Sequence, residues 1–363
     1  MDNIVLVSGG NSVEHEISLL TNRQVDKSIN KDKYNVYNVY LSKDNKFYLI
    51  KNNNNNNKTL NDYKKYPLYL IKENNKQYFK YKRKKIYFDY LLLLVHGKGV
   101  EDGSLHAYLE FLDIPYISNN IESSNLGMDK YLTKEIVKDK VRVLDHILVN
   151  LNDYNYDELL GKLNNYPYIF KANSLGSSIG VFKVNNEYDV IETLNAIKVY
   201  DDYVLIEKCL DNFKEYNLSL FKLDNKFVLS SIEEINYKKI LTYDDKYSDT
   251  LENLKRIINP SINENLKNEI INYSKYIYNK LKCDFLVRVD YLFDENNNIL
   301  YFNEINMIPG SLAFYLYEDK GILFDELLDL LIKVGKRNRY FKISKVNILG
   351  DNVLENLVSN IKK

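Results

Sequence analysis

Tryptophan is absent from this chain of 363 residues, and cysteine and histidine are scarce, at two and four. The cysteines, Cys209 and Cys283, stand far apart and lack the paired spacing of a metal site. That excludes a disulfide framework and a structural zinc site. An excess of one charge is also missing: 50 basic residues balance 50 acidic ones. Such a chain has no electrostatic case for binding nucleic acid or an anionic membrane. No apolar run approaches the length of a membrane span. The apolar opening Ile4–Val7 is too short for a secretion signal and has no basic segment before it. Together the absences predict a soluble, cytoplasmic protein of a reducing compartment. Asn, Lys, Ile and Tyr are abundant instead, which reads as composition bias of the source genome. The run Asn52–Asn57 is low in complexity and reads as a loop.

A chain of this length predicts two or three α/β modules, not one small core. Asn3–Ser8 reads as a buried strand ending at Gly9-Gly10, with an apolar-periodic stretch running on to Ile29. That is strand, glycine turn, helix. Tyr34–Leu41 and Phe47–Leu49 read as further strands. Phe88–Val95 is a continuous apolar run, the mark of a central parallel strand, and it ends at His96-Gly97. Ligands of open α/β sheets sit beyond the carboxyl ends of the strands, where Glu14 and His96 both fall. After a helix over Lys130–Lys138 the pattern changes. Tyr166–Lys183 reads as strand, Gly/Ser loop, strand, and Val204–Lys208 and Tyr216–Leu223 as more strands. Short glycine connections between strands suggest antiparallel sheets. The expected architecture is a parallel α/β sheet over 1–120, followed by α+β lobes over 121–212 and 213–363.

The sharpest signal lies in the C-terminal third. Val287–Phe293 and Ile299–Glu304 read as the arms of a β-hairpin around the turn-rich Asp294–Asn298. Folded back, the arms hold Asp290, Glu304 and Asn306 on one face. Hard oxygen ligands without Cys or His are what Mg²⁺ takes, and Mg²⁺ commonly arrives with substrate phosphates. The first expectation is therefore phosphate chemistry with ATP. Arg288, two residues before Asp290, faces the same side of its strand. The segment Lys171–Gly180 has small residues that let backbone amides approach an anion, with Lys171 as a point charge. It lacks the Gly-Lys-Ser/Thr ending of a Walker A loop, and an ordinary flexible hairpin accounts for it equally well. Glu207 and Glu215 suit ribose hydroxyls, and the backbone at Lys208 and Leu210 an adenine edge; the plainer alternative is a solvated loop acid. Tyr243–Tyr247 reads as a lid carrying Lys246 to a phosphate and Tyr247 to a substrate, or simply as a surface loop. His96 by itself is more often a hydrogen-bonded structural residue than a catalyst.

In order, the segments GGNSVEHEIS, HGKGVEDG, MDK, FKANSLGSSIG, EKCLDNFKEYN, YDDKY and RVD…NEINMIPG resemble the D-alanine–D-alanine ligases of the ATP-grasp superfamily, over nearly the whole chain. The resemblance implies a Rossmann-like, pre-ATP-grasp N-terminal domain and two lobes that clamp ATP. It implies that Glu14 orients the ammonium of the first D-alanine and that His96 lies near its carboxylate. Lys130 and Lys171 match phosphate-contacting lysines. Glu207, with the backbone at Lys208 and Leu210, matches the adenine site, and Glu215 the ribose acid. Ser177 matches a serine that links Glu14 to Tyr247, and Lys246 the lysine of the γ-phosphate. Asp290, Glu304 and Asn306 match the ligands of two Mg²⁺ ions, for which Mn²⁺ can substitute. Arg288 and the Gly310 amide match the groups that stabilise the oxyanion. Tyr315 and Leu316 fall where the second substrate is met. No protein nucleophile is required, in keeping with the lack of a Ser-His-Asp or Cys-His set. The implied product is D-alanyl-D-alanine for peptidoglycan, and the implied assembly a homodimer.

The chain also departs from the family pattern. Tyr315 stands where a serine is usual, Val100 where a glycine is, and His106-Ala107 where Gln-Gly is. A tyrosine at 247 goes, in the family, with an amino acid as second substrate, and a histidine there with D-lactate. An amide bond is therefore expected. Two other readings stay open: a paralogous ATP-grasp ligase for other amino acids, and a non-catalytic ATP-binding protein.

Overall fold

Strand β1 (Asp2–Gly9) is buried on both faces along most of its length. That is why its sequence is a continuous apolar run and not an alternation. It is the centre of the first sheet in a computed structural model that describes residues 1–50, 65–236 and 255–343. The run Asn52–Asn57 and the segment Tyr243–Tyr247 lie outside the described residues.

β1 pairs in parallel with β2 (Tyr34–Leu41) and with β7 (Tyr90–Leu93), and β7 in parallel with β8 (Tyr116–Ile117). Helix α1 (His15–Ser28) follows the glycine pair and packs on β1. The expected parallel sheet is present, but it is only half of the sheet. Beyond β2 the strands turn antiparallel, through β3 (Phe47–Ile50), β4 (Lys65–Glu73), β5 (Lys76–Tyr81) and β6 (Lys84–Tyr87), to eight in all. This extension is hard to see in the sequence, because β4 fully buries only Leu68, and β5 only Tyr78 and Phe79. The β4–β5 turn is Asn74-Asn75, with φ of 50° and 60°, the left-handed pair a two-residue hairpin needs. Helix α2 (Ser104–Phe111) lies between β7 and β8 in sequence.

Helices α3 (Ile121–Met128) and α4 (Lys130–Val137) lead out of this module. The Asp129 carboxylate accepts the Leu132 N–H at 2.8 Å, capping α4. The cap fixes Lys130 as the first helical residue, and Lys134 falls one turn later on the same face. The second sheet is antiparallel, in the order β11-β10-β12-β9. Its strands are β9 (His146–Asn150), β10 (Tyr168–Ala172), β11 (Val181–Val184) and β12 (Tyr203–Lys208). Helices α5 (Tyr156–Lys162) and α6 (Val190–Lys198) share its core.

The third sheet is also antiparallel, in the order β15-β14-β13-β16-β17. It comprises β13 (Phe213–Leu223), β14 (Lys226–Asn236), β15 (Lys255–Ile258), β16 (Val287–Asp294) and β17 (Ile299–Asn306). Helix α7 (Glu264–Lys280) covers one face, with Ile270 and Ile277 fully buried. Helices α8 (Phe314–Glu318) and α9 (Phe324–Ile343) close the described chain. α9 returns to the first sheet: Leu327, Leu328 and Leu331 lie in one core with Ile4, Leu92 and Leu109.

Candidate active site

The second and third sheets face each other across a cleft. Ile169, Lys171 and Glu207 line it from one side, and Glu215, Asp290 and Glu304 from the other. At its inner end Glu207, 1% exposed, sits between two ammonium groups. Its Oε1 is 2.8 Å from Lys134 Nζ and its Oε2 2.5 Å from Lys171 Nζ. Burial alone would raise the Glu207 carboxyl, but the two lysines overcome it and hold the group down at about 2. Burial pushes the Lys134 ammonium down, against the pull of Glu207. The trio carries a net positive charge, and Lys171 presents it to the cleft. Lys130 Nζ donates to the Leu175 carbonyl and lies 3.6 Å from Glu304. Lysines therefore reach the cleft from α4 and from β10, as a phosphate-binding reading requires.

A second cavity opens from the first; Lys130, Leu175, Glu215 and Glu304 border both. Its floor comes from the first module. The Ser177 hydroxyl donates to Glu14 Oε1. Gly176 makes this contact possible, since a Cβ there would sit 2.8 Å from Glu14 Oε2. Ser177 and Ser178 have φ of 53° and 60°, so the loop is held in the left-handed region beside the anion-facing residues. Glu101 was not anticipated from the sequence. Its carboxylate accepts the Gly97 N–H at 2.9 Å and the Ile308 N–H at 2.8 Å. It thus ties the loop after β7 to the segment that carries Asn306 and Gly310. Burial, with Glu14 nearby, pushes the Glu101 carboxyl up to about 8.

His96 Nε2 lies 3.0 Å from the Thr21 hydroxyl, which accepts the Ser311 N–H at 3.1 Å. Burial pushes its imidazole from 6.5 down to about 4, so His96 is neutral at pH 7. This fixes a stability prediction. As pH falls from about 6.5 to about 4, the unfolded chain binds the proton before the folded one does, so His96 costs stability across that window. The loss is up to about 3 kcal/mol at the acid end. Urea unfolding at about pH 7 and about pH 5 should show a smaller acid loss in His96→Gln than in the parent.

On the third sheet, Glu233, Asn217, Asp290 and Glu304 stand directly opposite one another across β14, β13, β16 and β17. Arg288 grips Asp290 with two hydrogen bonds of 2.7 Å, and Asn306 Nδ2 adds one of 2.9 Å. Three of the roughly four lone pairs of the carboxylate are thus used and one stays open. Among the described residues no group of three His, Cys, Asp or Glu side chains is placed so that it could hold a metal ion by itself. Asp290, Glu304 and the Asn306 amide oxygen still form a hard donor set. They fit a divalent cation that takes the rest of its shell from phosphate and water.

The structure brings most of the sequence candidates to these cavities. Lys171, Glu207, Lys208, Leu210 and Asp290 line the first, and Glu14, His96, Ser177, Arg288, Asn306, Gly310 and Tyr315 the second. Leu316 lines neither and is fully buried in α8. Lys246 and Tyr247 lie outside the described residues. Lys134 was missed, although its place four residues after Lys130 puts it on the same helical face.

Two antiparallel sheets closing on a lysine-lined cleft, behind an N-terminal α/β module, define an ATP-grasp enzyme. Family models for the D-ala D-ala ligase N-terminus and C-terminus match residues 3–119 and 141–333. The D-alanine–D-alanine ligase of Thermosipho africanus is 36% identical over 98% of this chain and 99% of that protein. In fold, the D-alanine–D-alanine ligase of Coxiella burnetii superposes with a TM-score of 0.81, at 23% identity, over 94% of this chain and 96% of that one. That of Bacillus anthracis complexed with ATP gives 0.69 at 26% identity, over 94% of this chain and 100% of that one. The chain belongs to the D-alanine–D-alanine ligase family. It is an ATP-dependent ligase that works with a divalent metal.

Proposed function

We propose that the protein joins two D-alanines through a D-alanyl phosphate. The carrying observation is the shared wall of the two cavities. There the phosphate-facing Lys130 and the metal-type acid Glu304 meet the chamber that holds Glu14, Ser177 and Arg288. In this reading Glu14 and Ser177 seat the first D-alanine, whose carboxylate attacks the γ-phosphoryl group. Lys130 and Lys171 offset the charge of the phosphates. Asp290, Glu304 and Asn306 would hold two Mg²⁺ ions, or Mn²⁺ in their place, which when bound would supply further charge stabilisation. The amine of the second D-alanine then attacks the acyl carbon. Arg288 and the Gly310 N–H stabilise the oxyanion, and inorganic phosphate leaves. Glu207, Lys208 and Leu210 would hold the adenine and Glu215 the ribose. Lys246 would contact the γ-phosphate, and Tyr247 would complete the link through Ser177.

The same reading makes residues 1–120 the substrate module and 121–212 and 213–363 the two clamping lobes. It places the protein in the cytoplasm, where ATP and the peptidoglycan precursors are, and implies a homodimer as in the family; among the described residues no helix is long and apolar enough to cross a membrane. One observation favours a second reading. Tyr315, where the family usually has serine, lines the chamber with a much larger side chain, which suits a ligase with a different second amino acid. ADP release against a panel of D- and L-amino acids and D-lactate, with mass analysis of products, tests both. D-Alanine alone should give the dipeptide. Faster turnover of D-lactate than of D-alanine at neutral pH would overturn the amide-forming reading, and turnover only of other pairs would favour the second.

A further inference from the structure

The far end of the second cavity carries a hydrogen-bond chain that the family pattern does not account for. The Tyr315 hydroxyl donates to Glu233 Oε2 at 3.1 Å. Burial pushes the Tyr315 phenol up to about 12, so it keeps its proton. Glu233 is fully buried on β14. The amide of Asn217, opposite it on β13, donates to the same Oε2 at 3.3 Å. Arg256 Nη1 lies 3.7 Å from Oε1. A carboxylate can only accept, so the single phenol hydrogen is committed to Glu233. What Tyr315 then offers the cavity is its lone pairs. The nearby donors are arginines: Arg256 and Arg288 line the same chamber. An amino acid entering here brings a carboxylate for the arginines and N–H groups for an acceptor.

We propose that Glu233 is a positioning residue for the second amino acid: it holds the Tyr315 oxygen as an acceptor for an N–H of the attacking amine. The residue at 315 therefore does not replace the family serine as a carboxylate donor. It works from the opposite polarity, on the opposite end of the substrate. The row Glu233–Asn217–Asp290–Glu304 runs straight across the sheet. It links this acceptor to the strands that carry the phosphate chemistry, so the amine is held in register with the acyl carbon.

The inference rests on the ligase reading above, and its test separates the two. Hydroxylamine trapping of the acyl phosphate, with ATP and D-alanine and enough hydroxylamine to outcompete the second D-alanine, reports the first half-reaction. Steady-state dipeptide formation reports the Michaelis constant of the second D-alanine. In Tyr315→Phe and Glu233→Ala that constant should rise about tenfold, the usual worth of one substrate hydrogen bond. Trapping and the KM for ATP should move less than twofold or so. Glu233→Gln, whose amide oxygen still accepts the phenol proton, should recover most of the loss. If Glu233→Ala melts early, Tyr315→Phe and Glu233→Gln carry the test. An unchanged second Michaelis constant in Tyr315→Phe overturns the inference, as does equal damage in Glu233→Gln and Glu233→Ala, or loss shared with the trapping step. A parent protein that traps no hydroxamate would sink the ligase reading instead.

Discussion

Replacing Arg288 with lysine is expected to lower kcat by about 10²–10³-fold, the usual cost of losing one oxyanion donor. Lysine keeps the charge, so a purely electrostatic role would leave turnover nearly intact. The observed geometry argues otherwise. Arg288 spends two N–H groups on Asp290, both at 2.7 Å, and still lines the second cavity. Only a planar fork can brace a metal-type carboxylate and keep donors for a developing oxyanion. A lysine placed here satisfies Asp290 or the oxyanion, not both. Steady-state ADP release on Arg288→Lys checks this, with a thermal melt to show that the fold survives. A fall of less than about tenfold removes Arg288 from the transition state.

Glu207→Gln is expected to be the most destabilising conservative change in the cleft. It strips the counter-charge from Lys134 and Lys171 at once. Lys134 is fully buried and, among the described residues, its other hydrogen-bond partner is the Phe302 carbonyl, at 3.2 Å. Breaking a buried ion pair on one side costs about 3–5 kcal/mol. The shift should appear in the urea midpoint, accompanied by a higher KM for ATP as Lys171 loses its fixed position. Adding Lys134→Met to Glu207→Gln should return more than about half of the lost stability, since the deepest unpaired charge is then gone. The pH sense is also fixed. The Glu207 carboxyl is held below its usual 4.5, at about 2, so its contribution is complete above about pH 4.5 and disappears as pH falls through about 2. Failure of the double variant to recover would mean that the trio is not the source of the loss.

The strands of the candidate metal residues were legible because their chemistry and their turn residues agree. Asp290 and Glu304 were placed on two hairpin arms by alternation and turn residues, and they pair directly. Two departures from the family pattern proved to belong to packing. Val100 fills the space over Gly10, where a Cβ would meet its Cγ1 at 2.7 Å. His106 is fully buried, 3.0 Å from the Ser118 hydroxyl and edge-on to Tyr116. What stayed hidden depends on long-range partners. A lysine in a helix reads as surface by default, and nothing local shows that Lys134 meets Glu207 from another sheet. The donor sense of Tyr315 depends on Glu233, 82 residues earlier. The antiparallel extension hid because its strands bury so little.

The core shared by α9 and the first sheet has a consequence for how the protein is made. On the ribosome β1 emerges long before the leucines that cover its sheet, Leu327, Leu328 and Leu331. Apolar strand segments such as Ile4–Val7 and Leu91–Leu93 must therefore wait, incompletely covered, through the synthesis of two further sheets. Chains in that state are prone to aggregate and are natural clients of chaperones. Helix α9 acts as the clasp of the nascent enzyme, and a chain stopped before residue 324 would leave the first sheet open.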